Sequence, residues 1–576
     1  MRIFSRSRGS IILALVTLTM FIGGFAVYGI GFFHVTHARA AAYSTYTGTR
    51  GHLTFAGTTS IATAAAKKTA TTAGKPTVRP MPFRPLPRSG GPTTKTATPS
   101  SSGLPTTRLS LTHNFDGINS TQNLNASGVG LEPPDEGLGY GNGLVINIVN
   151  LALAVYKPNG TLVAGPVSAT NFFLEQVAFT NGTVTSDPRV YFDASTHTWF
   201  ATIFEFDDGS VSGTASSHVD IAVNPSGNPL GTWYVYRIDT TDAIDNGCPC
   251  LPDYPQFGID QYNVYISTNE FSIAGPQYNG AQIYAVSKSQ LESLATAPNM
   301  VHFGNLSIAG VITYHVQPAI SYTSAPAEFF MDSLDPNSTF DNRLGVWAMT
   351  NRQSVTSGTG LPVLSSTVIT SEAYGFPPNA VTPPGFNGFF NEPTTGVVTN
   401  DFDAMQEVEY INGHLDGALD TAITIPGDTA ERSGVAWFQV SPKLAGNIVS
   451  PNTSILEQGY VSSQGNYLLY PHINENQSGT MAMVFTLGGP GTYLSAAYAT
   501  KSASSKQFTA VHLAAAGAAP DNGFTATSTF GGVGRWGDYS NGEVDPSGNF
   551  WLATEYIPGN GDQIANWGNR IFEVLA

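Results

Sequence analysis

The chain has 576 residues, of which 11% are charged and 11% aromatic, with 61 Gly, 37 Pro and only 2 Cys; such totals admit one large repetitive domain and exclude a disulfide framework. Residues 1–110 hold 13 of the 25 Lys and Arg and no acid, so the remainder sets 12 basic against 41 acidic residues, a balance of −29. An acidic body repels phosphate backbones, which excludes nucleic acid as a partner.

The N-terminus reads as an export signal. Arg2, Arg6 and Arg8 form a positive region, Ile11 to Phe33 is an apolar run, and Ala38-Arg39-Ala40 offers a cut after Ala40. The same run is long enough to span a bilayer, which takes about 20 residues. Residues 1–40 are therefore expected to be a signal peptide or a membrane anchor, with membrane contact through residues 11–33 if the signal is not cleaved. The body is expected to be secreted or extracellular. Residues 41–107, rich in Thr, Ala, Pro and basic side chains, are expected to be a disordered linker because they cannot bury a core.

From residue 108 to 576 a repeat emerges. An opening rich in Pro and acidic residues recurs near Pro134, Pro188, Pro255, Gln317, Ala404, Pro471 and Ser540. Each is followed by a turn and an apolar strand, such as "WFATIFEF" or "FWLATEY", then by a third strand such as "AQIYAVS". Seven four-stranded units predict an all-β fold, a single seven-bladed β-propeller. The last unit ends after three strands, so its fourth is expected from residues 108–115, which would remove an exposed edge. The Pro/Gly/Phe-rich stretch 372–396 reads as an insertion forming a lid or platform.

The stretches "SDPRVYFDASTHTWFATIFEF", "IAVNPSGNPLGTWYVYRID", "DYPQFGIDQYNVYISTNEF" and "GRWGDYSNGEVDPSGNFWLATEY" resemble those of an uncharacterised family of exported bacterial β-propeller proteins, distantly sialidase-like. The resemblance implies fold and export and carries no catalytic residues over. "NPSGNPLGTW" and "DPSGNFW" are similar to the Asp-box turns of sialidase blades, a structural motif.

Candidate chemistry gathers where the repeats open, because the first strand of a propeller blade lines the central channel. Asp135, Asp187, Asp253, Asp403 and Asp538 are the expected carboxylate ring; six to eight oxygens would suit Ca²⁺, whereas turn capping is the bland alternative. Asp135, Glu136, Gln256, Gln317 and His472 are expected to face a ligand. Asp187, Arg189, Arg535, Asp538 and Tyr539 are the weak catalytic candidates, with Arg189 and Arg535 otherwise expected to pair with neighbouring Asp residues. Only seven Arg follow residue 110, and Arg343 and Arg432 lie on later strands, so a sialidase-type Arg triad is missing. Cys248 and Cys250 are expected to form a disulfide staple. The residues thus predict an exported or cell-surface binder of an extracellular glycan or protein, possible calcium included. The alternative is a sialidase-like glycoside hydrolase or lyase using the channel-mouth carboxylates.

Overall fold

The computed structural model describes residues 43–67, 77–80, 111–176, 182–334, 340–400 and 402–576; the expected signal or anchor, 1–40, lies outside the described residues. Among the described residues, no helix is long and apolar enough to cross a membrane.

The chain is all-β, and from Gly137 onward its main strands fall into seven four-stranded antiparallel meanders. Their first strands are Gly137–Gly141, Thr183–Asp193, Cys250–Ile259, Gln317–Ser321, Val408–Ile411, Tyr467–Glu475 and Asn541–Val544. The last meander takes its fourth strand from Asn114–Asn119, which pairs antiparallel with Gly568–Val574. That splice begins further along the chain than the expected 108–115.

Six apolar clusters each join chiefly two meanders adjacent in sequence. A seventh joins the last meander to the first, setting Trp551, Ala553 and Ile571 against Leu138, Val145 and Tyr156. Trp199, Trp233, Trp347, Trp437 and Trp551 fill these seams and are at most 2% exposed. Burying one Leu, Ile or Phe contributes roughly 1.5–3 kcal/mol, so the seams supply the main cohesion.

Three first strands share one irregularity. Their ladders slip between Ser186 and Arg189, Asp253 and Gln256, and Leu469 and His472. Pro188, Pro255 and Pro471 sit in the slips, where a residue without an N–H costs no ladder bond. The residue before each Pro is left-handed: Asp187 at φ 57°, Tyr254 at 56° and Tyr470 at 54°. Asp135 at 45° and His315 at 52° repeat the device at two more openings. Such bulges re-aim side chains and gather near functional sites.

Part of the expected linker is structured, which corrects the reading of 41–107. Thr54–Thr59 pairs with the outer strand Trp233–Asp239 of the second meander, and Thr49–His52 with Asn299–Phe303 of the third. Ser44–Tyr46 pairs with Val363–Tyr374 of the fourth, and Thr77–Pro80 runs parallel to Val129–Glu132. Composition predicts disorder because these residues have no core of their own. Instead they satisfy the unpaired N–H and C=O groups of outer strand edges, which is independent of side-chain burial.

The insertion folds as two short ladders, Ala380–Val381 with Val397–Val398 and Phe386–Asn387 with Glu392–Pro393. Asn387 Nδ2 donates to the carbonyls of Asn522 and Ile564, both at 2.7 Å. Trp536 N donates to Thr399 Oγ1 at 3.3 Å, and Phe402 packs edge-on against His315. These ties fasten the insertion to residues 522 and 564, and the segment just after it to Trp536 and His315 at two openings.

Candidate functional site

Where the first strands open, the structure builds a buried polar cluster around one guanidinium. Arg189, 3% exposed, lies with its guanidinium carbon 3.3 Å from the centre of the Tyr539 ring and 5.7 Å from that of Tyr254. Its Nη2 donates to Gln256 Oε1 at 2.8 Å. No carboxylate lies within ion-pair distance of Arg189 among the described residues, so the expected Arg189–Asp pair is replaced by an amide and two aromatic faces. Arg535 does pair with an acid, Asp538, at 3.4 Å. Arg343 pairs with Asp341 and Arg432 with Asp428, away from this cluster as expected of later strands.

The remaining candidates divide by environment. Asp135, Asp187 and Asp538 are electrostatic neighbours. Burial pushes Asp187 up to about 6, with the Asp538 charge adding to it and Ser186 and Arg189 opposing. Burial likewise raises Glu136 to about 8 and Glu407 to about 7, each restrained by Arg189. His472 is pushed down to about 3 by burial and by Arg189, so it is neutral. Arg189 and, at the edge, Arg535 thus stand among a larger number of carboxyls, several of which gain by keeping a proton.

Hydrogen bonds show what the catalytic candidates are engaged in. Asp187 accepts from the Tyr254 N–H at 3.1 Å and from Ser186 Oγ. Tyr539 Oη donates to the Pro188 carbonyl at 3.2 Å while Arg189 covers its ring. Asp135 accepts from Asn150 Nδ2 at 2.6 Å, and Gln317 Nε2 donates to the Met405 carbonyl at 2.9 Å. Asp253 and Asp403 stand apart, electrostatically coupled to Tyr278 and Tyr314 and to Tyr374 respectively. No three of the five expected ring carboxylates bring oxygens within 4.8 Å of one another among the described residues. Cys248 and Cys250 are disulfide-bonded at the head of the third meander's first strand.

Further along the first strands a void of about 10 Å³ lies beside Arg189, Glu407 and Phe257, room for about one water. A separate cavity of about 710 Å³ is lined by residues at or next to the C-terminal ends of all seven first strands. Four of the hairpins there begin with the same side-chain cap. Asp193 accepts from Ser195 N at 2.9 Å, Asp260 from Tyr262 N at 2.7 Å, Asn476 from Ser478 N at 3.0 Å and Asp545 from Ser547 N at 2.8 Å.

The cavity presents aromatic faces and polar edges. Tyr140 stacks on Trp551 with ring centres 4.4 Å apart, and Tyr322 Oη meets the Val544 N–H at 3.3 Å. Lys288 pairs with Asp193 and Arg352 with Asp260, each joining two meanders across the rim. Burial would raise Asp193, but Lys288 outweighs it and holds the carboxyl below its usual range. Sequence reading missed this end. Its signal was the recurring hairpin itself, "FDAST", "IDQYN", "ENQSG" and "VDPSG", one repeat position after each first strand.

No family model matches the chain, and no curated protein matches it. Among solved structures, the parainfluenza virus 5 hemagglutinin-neuraminidase ectodomain is 8% identical over 69% of this chain and 84% of its own, with a TM-score of 0.32. Trypanosoma rangeli sialidase in complex with sialic acid is 10% identical over 76% of this chain, which spans 60% of that protein, with a TM-score of 0.33. An exo-β-1,3-galactanase from Clostridium thermocellum is 9% identical over 77% of this chain and 95% of its own, at a TM-score of 0.27. Likenesses of this strength assign no residue roles.

Proposed function

We propose that the seven meanders close as a single seven-bladed β-propeller, and that the protein is an exported saccharide binder using the cavity at the hairpin end. The observation that carries the binding reading is the 710 Å³ cavity in which Tyr140 and Tyr322 meet Gln261, Asn476 and Asp545. Aromatic faces beside amide and carboxylate edges match a sugar ring, apolar on its C–H faces and polar around its rim. Closure is supported by the apolar seam between the last and first meanders and by the Asn114–Asn119 splice. Export is supported by the N-terminal signal pattern and by a disulfide, which persists in oxidising compartments.

Binding is favoured over hydrolysis because the catalytic candidates Asp187 and Tyr539 are buried and hydrogen-bonded to the protein itself. Calorimetric titration of the full chain against a panel of mono- and oligosaccharides tests this. At least one glycan is expected to bind, and Tyr140→Ala to weaken it about fivefold, in line with about 1 kcal/mol for a lost aromatic contact. Absence of binding across the panel, or affinity indifferent to Tyr140→Ala and Tyr322→Ala, would overturn the reading. Heat continuing after saturation, with new reducing ends, would transfer it to the hydrolase class.

A further inference from the structure

Away from the axis, the seam between the fifth and sixth meanders holds a second polar group. His414 and Asp416 are two apart on the strand His414–Ile423 and so share a face. Glu475 ends the facing strand Tyr467–Glu475. His414 Nε2 lies 2.9 Å from Glu475 Oε2 and 3.5 Å from Asp416 Oδ2, and the three atoms fall within 4.8 Å of one another. Asp416 is wholly buried, yet its Oδ2 accepts no hydrogen bond. Gln439 Nε2 donates to Asp416 Oδ1 at 3.1 Å and to Glu475 Oε2 at 2.9 Å, and Asn412 Nδ2 donates to Glu475 Oε1 at 3.1 Å.

A similar group forms on the third strand of the second meander, Ser216–Asn224, with Glu175 from the segment before that meander. His218 Nε2 lies 2.9 Å from Glu175 and 3.9 Å from the buried Asp220. There the residue opposite the Asp on the next strand is Arg237, which binds Asp220 at 3.2 Å and Glu175 at 2.5 Å. Opposite Asp416 the residue is Gln439. An amide supplies donors but no charge, while Glu409 adds a third carboxylate behind, accepting from the Glu475 N–H at 3.0 Å. Lys501 faces the group from the sixth meander, but its Nζ is 2.9 Å from Glu457.

We propose that His414, Asp416 and Glu475 bind a divalent transition-metal cation, zinc in the first instance, which supplies the charge that Arg237 supplies in the second meander. One imidazole nitrogen and two carboxylate oxygens form a three-ligand set with a fourth position open to water. Ligand atoms on a tetrahedral zinc stand about 3.3 Å apart for bonds of roughly 2.05 Å, close to the spacings around His414. Gln439 and Asn412 hold the carboxylates from behind, as outer partners of metal ligands do.

The test uses the full chain stripped with chelator, titrated with ZnCl₂ by calorimetry, with the metal counted after desalting. One zinc per chain is expected, with a raised Tm. His414→Gln and Asp416→Asn are each expected to weaken binding at least tenfold, whereas His218→Gln leaves it unchanged. Gln439→Arg keeps the fold by copying Arg237 and is expected to abolish binding, which guards against loss through unfolding. No bound zinc, affinity unaffected by Gln439→Arg, or loss on His218→Gln alone would overturn the proposal, leaving His414 as a structural counter-charge.

Discussion

The two ends of the first strands contrast sharply. At the opening end, charge is dense, yet Asp135, Asp187, Arg189 and Tyr539 are all at most 5% exposed. At the hairpin end the ionised groups are mostly paired across the rim, Lys288 with Asp193 and Arg352 with Asp260, and the space is open. Polar residues converge at both, and at the hairpin end they surround a cavity of about 710 Å³. Density of ionisable groups therefore marks where the fold is electrostatically costly, and a cavity with free faces marks where a ligand fits.

The largest expected effect breaks the opening end. Arg189→Met removes the cation that opposes the raised pKa values of Glu136, Asp187 and Glu407 together with the donor to Gln256, and loss of a hydrogen bond from a charged group costs about 1.5–3 kcal/mol. Denaturant unfolding measures it, and the penalty should be greater at pH 8 than at pH 5, where the carboxyls keep their protons. Saccharide affinity in the surviving folded fraction should be unchanged, because the hairpin end is separate.

A smaller effect is the pH dependence of the parent protein. Asp187, Glu407, Asp332 and Glu136 are raised by burial to about 6, 7, 7 and 8. Between roughly pH 4 and 8 the folded state thus binds more protons than the unfolded one, so stability falls as pH rises through those values. Scanning calorimetry should give a Tm several degrees higher at pH 5 than at pH 8. Below pH 4 the trend reverses: Asp428, held low chiefly by its hydrogen bonds from Arg432, then loses them by protonation. A flat profile would mean that those carboxyls are hydrated rather than buried.

The smallest expected effect sharpens the same comparison. Tyr539→Phe deletes the bond to the Pro188 carbonyl and should cost about 0.5–1.5 kcal/mol with no change in saccharide binding. A loss of ligand affinity instead would return the opening end to the functional site.

Particular residues show how much was legible. The strands "FWLATEY" and "AQIYAVS" lie within the observed strands Phe550–Tyr556 and Tyr278–Ser287 because an alternating apolar pattern fixes strand and face together. The turn at Asp545 was readable from Asp-Pro-Ser-Gly, since a side chain capping its own hairpin is a local event. Asp253 and Asp403 looked equivalent to Asp187 in sequence, yet Asp253 acts on Tyr278 and Tyr314 and Asp403 on Tyr374, because pseudo-symmetry does not fix how each opening places its side chain. Residues 44–59 looked disordered because composition cannot report an edge that another part of the chain leaves unpaired.

By itself, then, the sequence determined the all-β class, the count and rough positions of seven repeats, the spliced closing strand and which residues open each repeat. Those are local or periodic properties, written in hydrophobic spacing and turn chemistry. Tertiary structure alone decided that Arg189 would rest on Tyr539, that the cavity would lie at the opposite end, and that Gln439 would stand before Asp416 where Arg237 stands before Asp220. Each depends on which side chains meet across strands and meanders distant in sequence, and spacing along the chain carries no record of that meeting.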